Sequence, residues 1–385
     1  MNNGYDYNGQ NNDQNNENNQ KEEIRFDEWE PRNPYSGGYS SDVNYGTYNG
    51  WTEPPVLIDE AEHKSNFSRI GFGFALFTLI STVAALLIQI ITQNIAPEFC
   101  ETSLFLNLVS PVALYIFALP ALLILLSGVE AKAPEKKPLG IGRWFLFLLV
   151  GFGVMYIGAM IGNTVMEYFS ALVGYDYSNA LDSIVDENNI WITAIFTVIV
   201  APIGEEFVFR KLLMDRTKRY GGAVSILISG IVFGLMHGNF YQFFYCLGLG
   251  LILAYMYHST GRLLPCILLH AAINLVGSVV PTLLSPILES VESINPENMD
   301  TMAQFLADNI GGILAAAAFS LFVYAAMALA VILPIALRNK IKANIGAPEV
   351  ALPRHRRLAI IIANAGAIVL LALYALEFGL SLIPV

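Results

Sequence analysis

The segment IWITAIFTVIVAPIGEEFVFR, residues 190–210, decides the fold because it is an apolar run of membrane-spanning length. A helix that crosses the hydrocarbon core of a bilayer needs about 20 predominantly apolar residues. This run ends in two adjacent glutamates, Glu205 and Glu206, and in Arg210. A charged side chain inside a membrane segment costs about 2.5–3.5 kcal/mol on insertion scales, so it usually marks function. The segment therefore predicts a membrane helix that carries a functional site.

Similar apolar runs recur along the chain after residue 69. They predict nine membrane segments, at about 70–92, 104–127, 143–166, 190–209, 222–238, 240–257, 263–284, 310–337 and 358–383. Backbone polar groups in lipid must be satisfied within the segment, so these runs are expected to be helices. We therefore expect an all-α polytopic membrane protein of about eight to nine transmembrane helices with a polar intramembrane cavity.

The composition agrees with a membrane protein. The 385 residues are 55% hydrophobic and 14% charged, whereas a soluble domain has about 25% charged residues. The net charge of −11 argues against nucleic-acid binding, which needs a basic surface. The three cysteines, Cys100, Cys246 and Cys266, have neither the pattern of a disulfide framework nor the spacing of a metal site.

The chain divides into regions of different character. Residues 1–69 are rich in Asn, Gly and Tyr and carry an excess of acidic side chains. Such a segment cannot bury enough apolar surface to offset its ordering entropy, so we expect a disordered cytoplasmic tail. N-terminal transmembrane helices follow at 70–189, then a core with the unusual ionisable groups at 190–285, and C-terminal transmembrane helices at 286–385.

The positions of the basic residues predict the orientation in the membrane. If the tail is cytoplasmic, all 21 Lys and Arg residues fall on the cytoplasmic side. The opposite loops, at 92–103, 167–189 and 285–309, contain no basic residue. Because the Lys/Arg bias of loops sets topology, we expect a cytoplasmic N-terminus and a bacterial-type cell membrane.

Three groups of residues stand out within the core at 190–285. They are Glu205, Glu206 and Arg210, then Phe233 and His237, then His270 and Asn274. A step of four residues returns to the same helix face. Arg210 can therefore hold Glu206 in its charged form, while Glu205 points elsewhere and is available as a base. The same spacing puts His270 and Asn274 on one face, and Phe233 and His237 on another.

Water activation and peptide hydrolysis fit these residue types. Glu205 would take a proton from water that His237 helps to position. His270 and Asn274 would stabilise the oxyanion, which is worth about 2.7–4 kcal/mol per donor in known hydrolases. Alternatively, Glu205, His237 and His270 would bind Zn²⁺, which lowers the pKa of a bound water to about 7. The usual zinc-protease signature HExxH is absent and gives the zinc alternative no support.

Taken in order, the three groups resemble the CPBP intramembrane proteases, which include the type II CAAX prenyl endopeptidases and the bacterial Abi proteins. The family pattern EExxxR, FxxxH and HxxxN is matched at every position within about residues 190–285. The resemblance implies a catalytic core there, with Glu205 as base acting with His237, and His270 and Asn274 as the oxyanion site. The supporting residues would be Glu206, Arg210 and Phe233. The resemblance leaves open whether the mechanism is metal-dependent or glutamate-dependent.

The leading hypothesis is an intramembrane endopeptidase that acts in the bilayer on a membrane-bound or lipidated peptide or protein. The alternatives are a non-enzymatic membrane scaffold or immunity protein, and an ion-coupled transporter that uses the same Glu/His cluster. A transporter predicts inverted repeats, and the sequence contains no second copy of the Glu-Glu or His-Asn element.

Straight helices would separate the site residues. At about 1.5 Å rise per residue, His237 would lie nearer the outer side of the membrane than Glu205 and His270. We therefore expect the chain to be irregular near Pro202 or Gly221, with a polar cavity open toward the cytoplasmic half.

Overall fold

A computed structural model describes residues 59–177, 190–280 and 299–383, and all regular structure in these ranges is helical. The helices of eight residues or more are α1 (Glu60–Ile95), α2 (Ser103–Leu126), α3 (Ile141–Val173), α4 (Ile190–Tyr220), α5 (Gly222–Leu235), α6 (Phe240–Thr260), α7 (Leu263–Val279), α8 (Met299–Ala336), α9 (Arg338–Ile345) and α10 (Ala365–Leu380). Short helices lie at Pro97–Cys100 and Arg357–Ile361. The chain is an all-α polytopic membrane protein, as predicted.

The apolar helices match the nine predicted segments in position. Among the described residues, six helices are long and apolar enough to cross a membrane, namely α1, α2, α3, α4, α6 and, over Asn309–Ala336, α8. Three shorter apolar helices, α5, α7 and α10, account for the other predicted segments. The remaining helix, α9, carries Arg338, Lys340 and Lys342 and is not apolar.

Capping side chains set two of the helix starts that differ from the predicted ones. The α1 helix begins at Glu60, where the Asp59 carboxylate accepts hydrogen bonds from the backbone N–H groups of Ala61 and Glu62. The end of the segment predicted as a tail is therefore helical, and residues 1–58 lie outside the described residues. The last apolar helix begins at Ala365 because Asn364 caps it by accepting from the Ala367 N–H.

The helices that carry the candidate site are irregular where the sequence predicted a break. Turns of π-helix widen α2 at Val112–Ala118 and α4 at Ile195–Val200. Each of these stretches is followed within two residues by a proline, Pro120 or Pro202, which has no N–H to bond the carbonyl four residues back. Gly221, at φ 110°, then ends α4, since few other residues adopt that conformation.

Helix packing places the candidate site between α4, α5 and α7. The α6 helix packs against α3 and α5, and α7 packs against α4 and α3. On the other side of the bundle, α1 packs against α10 and α2. Gly71 and Gly366 let α1 and α10 approach closely, because a Cβ at Gly71 would collide with the backbone of Gly366.

The polar cavity expected around the site remains a prediction. A recess of about 670 Å³ lies elsewhere, at the end of α3, with Glu167, Asp176 and Tyr241 in its lining. Neither Glu205 nor His270 lines this recess.

Candidate active site

The candidate site contains a completely buried ion pair on one face of α4. Arg210 Nε lies 2.9 Å from Glu206 Oε2, and a second guanidinium nitrogen donates to Glu206 Oε1 at 3.2 Å. Neither side chain is exposed. Arg210 also donates to the Ser229 hydroxyl on α5 at 2.8 Å. Because the two charges face each other and are further hydrogen-bonded, the pair is tolerated in an environment where a single charge would be very costly.

Phe233 packs against the ion pair and against both histidines. Its ring is buried and lies 5.2 Å from the Arg210 guanidinium carbon, at cation–π distance. The rings of His237 and His270 pack edge-on against it, with centroids 5.2 and 5.8 Å away. A single aromatic side chain therefore fixes the spacing of three polar groups.

His270, on α7, lies between the two adjacent glutamates. Its Nδ1 is 3.1 Å from Glu206 Oε1, and its Nε2 is 3.7 Å from Glu205 Oε2. An ionised carboxylate can only accept a hydrogen bond, so Nδ1 carries the proton in the neutral ring. The Nε2 lone pair then faces Glu205 across a distance longer than a direct hydrogen bond, which a water or a substrate group can bridge.

His237, just beyond the end of α5, is held in a similar way. Its Nδ1 donates to the Phe233 carbonyl oxygen at 2.8 Å, which leaves Nε2 as an acceptor in the neutral ring. His237 interacts electrostatically with both Glu205 and His270. The structure therefore places His237 near Glu205 and His270, which straight helices would not do.

Asn274 has a different partner from the expected one. Its side-chain nitrogen donates to the Thr197 carbonyl oxygen at 2.8 Å. Thr197 lies in the π-helical stretch of α4, so this bond joins α7 to α4. One of the two amide hydrogens is used in this way, and the other remains for a ligand.

Glu205 differs from its neighbour because it has few polar contacts. Its side chain is 15% exposed, and its carboxylate faces His270. Sequence reasoning missed the other side chains that interact electrostatically with it, which are Tyr115 on α2 and Tyr245 and Cys246 on α6. It also missed Ser229 as a partner of Arg210, although a serine within an apolar helix was an available signal.

The zinc alternative requires several protein ligands that converge on one ion. Within the described ranges, no three His, Cys, Asp or Glu side chains are grouped as ligands of one ion. Glu205, His237 and His270, the zinc ligands of the alternative mechanism, do not form such a group as they are placed.

A comparison with family models identifies the segment that contains these residues. Residues 187–276 match the model described as "Type II CAAX prenyl endopeptidase Rce1-like". We refer to this segment as the Rce1-like domain because of that similarity. The Rce1-like domain contains all three residue groups and spans α4, α5, α6 and most of α7.

Curated bacterial relatives align with part of the chain. The UPF0177 protein YbdJ of Lactococcus lactis is 27% identical over 37% of this chain and 62% of its own length. The membrane-embedded CAAX protease MroQ of Staphylococcus aureus is 26% identical over 42% of this chain and 70% of its own. The putative membrane peptidase YdiL of Bacillus subtilis is 25% identical over 42% and 66%. The chain thus spans roughly two thirds of the relatives' length. No solved structure matches.

Proposed function

We propose that the Rce1-like domain is an intramembrane endopeptidase in which Glu205 activates water. The observation that carries the proposal is the contrast between two adjacent carboxylates. Glu206 is buried and committed to Arg210 and His270, whereas Glu205 faces the His270 Nε2 across 3.7 Å and is partly exposed. A carboxylate that acts as a general base needs this kind of incomplete hydrogen bonding next to a group that holds the water.

The proposed reaction proceeds through a tetrahedral intermediate. Glu205 takes a proton from water, and His237 Nε2 accepts the other water hydrogen and so orients the oxygen. The resulting hydroxide adds to the carbonyl carbon of the scissile peptide bond. Glu205 then returns its proton to the leaving amide nitrogen as the C–N bond breaks, so that a carboxylic acid and an amine are released.

The oxyanion requires hydrogen-bond donors close to the carbonyl oxygen of the scissile bond. Asn274 retains one amide hydrogen for this purpose, since the other binds the Thr197 carbonyl. His270 can donate from Nε2 only in the doubly protonated form of its ring, in which Nδ1 donates to Glu206 Oε1. Glu206, Arg210 and Phe233 are then positioning residues, because they hold His270 and do not contact the substrate.

The proposed substrate is a membrane-bound or lipid-anchored peptide or protein. The site lies on apolar helices, so a substrate has to reach it from the bilayer or its surface. One relative is named a CAAX protease and another a putative membrane peptidase, which agrees with this substrate class. With the Lys/Arg distribution as support, we propose that the N-terminus lies in the cytoplasm.

Replacement of Glu205 by Gln tests the proposal. The full chain would be reconstituted in liposomes with an internally quenched peptide library that includes farnesylated CAAX peptides, and cleavage would be followed by fluorescence and mass spectrometry. We expect Glu205→Gln to lower the rate by about 10²–10⁴-fold, the usual contribution of a general base. Glu167→Gln, an exposed membrane-helix glutamate in α3, is the matched control and should cleave at the wild-type rate. Cleavage by Glu205→Gln at the wild-type rate would refute the proposal.

A further inference from the structure

Tyr115 lies beside Glu205 although it belongs to a helix outside the matched segment 187–276. It is on the widened stretch Val112–Ala118 of α2. Its ring lies against Gly204, where a Cβ atom would overlap the ring carbons and the hydroxyl oxygen. Only glycine at 204 therefore admits the phenol, and the next residue along the chain is Glu205. Wide π-helical turns frequently occur at functional sites.

Among the residues that the structure describes, the hydroxyl of Tyr115 has no hydrogen-bond partner, although the side chain interacts electrostatically with Glu205. Tyr257, on α6, differs in this respect because its hydroxyl donates to Asp215 Oδ1 at 2.8 Å. Tyr115 thus presents an O–H donor near the proposed base without a hydrogen bond to it.

The proposed reaction needs a further hydrogen-bond donor for the oxyanion near Glu205. In their neutral forms His237 and His270 both present a lone pair at Nε2, because each Nδ1–H is used by an acceptor. Asn274 has one amide hydrogen left. A tetrahedral intermediate is usually stabilised by more than one preorganised donor. Among the groups around Glu205, the Tyr115 hydroxyl can supply a second donor without a change of protonation.

We propose that Tyr115 is a further catalytic residue, whose O–H donates a hydrogen bond to the carbonyl oxygen of the scissile bond as that oxygen becomes an anion. The phenol keeps its proton throughout, so the proton balance of the reaction is unchanged. This role rests on the proposed peptidase function. It adds to that function a donor from α2, a helix outside the Rce1-like domain.

Tyr115→Phe tests this role because it removes one hydroxyl and leaves the packing on Gly204 in place. In liposomes, with the peptide library described above, we expect kcat to fall by ~10²–10³-fold, the loss seen when one oxyanion donor is removed, while KM is unchanged. Binding of a peptide phosphinate, which mimics the tetrahedral intermediate, should weaken by the same factor. The thermal unfolding temperature should match the wild type.

Two other tyrosines serve as comparisons. Tyr156→Phe removes a hydroxyl from α3, where the ring packs against Phe319, and should leave kcat unchanged. Tyr257→Phe removes a buried phenol hydroxyl that is bonded to Asp215, away from Glu205, and kcat per folded molecule should stay at the wild-type value. An equal loss of kcat in Tyr257→Phe and Tyr115→Phe would overturn the specific role of Tyr115.

The cleavage rate of Glu205→Gln distinguishes a failure of the Tyr115 role from a failure of the peptidase proposal. If Glu205→Gln is inactive and Tyr115→Phe keeps the wild-type kcat, the role of Tyr115 is wrong and the peptidase proposal stands. If Glu205→Gln cleaves as the wild type does, or if the wild type cleaves no peptide of the library, the peptidase proposal fails and the role of Tyr115 fails with it.

Discussion

Two ionic clusters are centred on buried carboxylates of α4. Comparing them distinguishes an ion pair that stabilises the fold from one that adjoins the candidate active site. The site cluster consists of Glu206, Arg210, Ser229 and His270. The Asp215 cluster consists of Lys211, Asp215 and Tyr257. In each, a buried carboxylate on α4 pairs with a basic residue one helical turn away, at 2.9 Å in the site cluster and 2.7 Å in the Asp215 cluster.

The difference lies in what surrounds the carboxylates. Asp215 uses Oδ2 for Lys211 and Oδ1 for the Tyr257 hydroxyl, and its backbone carbonyl accepts from the Lys132 N–H. In the site cluster, Glu206 Oε1 accepts hydrogen bonds from Arg210 and His270, whereas Glu206 Oε2 has only the ionic contact with Arg210 Nε at 2.9 Å. This cluster adjoins Glu205, whose carboxylate has no basic partner one helical turn away. A buried ion pair alone therefore indicates a structural element. A buried ion pair that binds a histidine, with that histidine facing a second carboxylate, indicates a candidate catalytic site.

The largest effect on stability is expected for Arg210→Met. It leaves Glu206 as an uncompensated buried charge, which costs about 3–5 kcal/mol, and it should also abolish cleavage because His270 loses its support. The measurement is thermal unfolding in detergent together with the cleavage rate. The double variant Glu206→Gln/Arg210→Met removes both charges and should recover most of the stability without the activity. Wild-type stability of Arg210→Met would show that the pair is not buried as described.

A smaller effect on stability, with no effect on chemistry, is expected for Asp215→Asn. The variant keeps an acceptor for the Tyr257 hydroxyl but loses the charge, and a hydrogen bond to a charged group is worth about 1.5–3 kcal/mol. Unfolding should occur at a lower temperature, while kcat per folded molecule stays at the wild-type value. A loss of kcat in the folded fraction would place the Asp215 cluster in the active site and remove the contrast between the clusters.

The smallest effect is expected for Lys211→Met. The Lys211 side chain is 46% exposed, and exposed ion pairs contribute about 0–1 kcal/mol. The variant should therefore unfold close to the wild-type temperature and cleave at the wild-type rate. A destabilisation as large as that of Arg210→Met would show that exposure does not distinguish the two basic residues.

The helical architecture could be predicted from the sequence because hydropathy in a membrane is a strong signal. All nine apolar segments occur where the runs predicted them, and the pair Glu206–Arg210 follows from helix periodicity. The irregular stretch before Pro202 and the end of α4 at Gly221 could also be predicted, because proline lacks the backbone N–H of a regular turn and glycine readily adopts a positive φ. In each case, the residue types and their spacing along the chain were sufficient for the prediction.

The partners within the site could not be predicted in the same way because they depend on packing between distant helices. Nothing in the spacing of Asn274 indicates that its amide binds the Thr197 carbonyl. Tyr115 is an ordinary aromatic residue in an apolar run, and only the approach of α2 to Gly204 brings it to Glu205. The start of α1 at Glu60 was not predicted, because its capping residue Asp59 lies in a polar, acidic stretch that was predicted to be a disordered tail.

The cleavage rate of purified, folded Glu205→Gln, measured beside Asp215→Asn and the wild type in the same liposomes, tests the role of Glu205 most directly. We predict that Glu205→Gln unfolds at the wild-type temperature and is inactive, whereas Asp215→Asn is less stable and fully active. Cleavage by Glu205→Gln at the wild-type rate would contradict the assignment of Glu205 as the base.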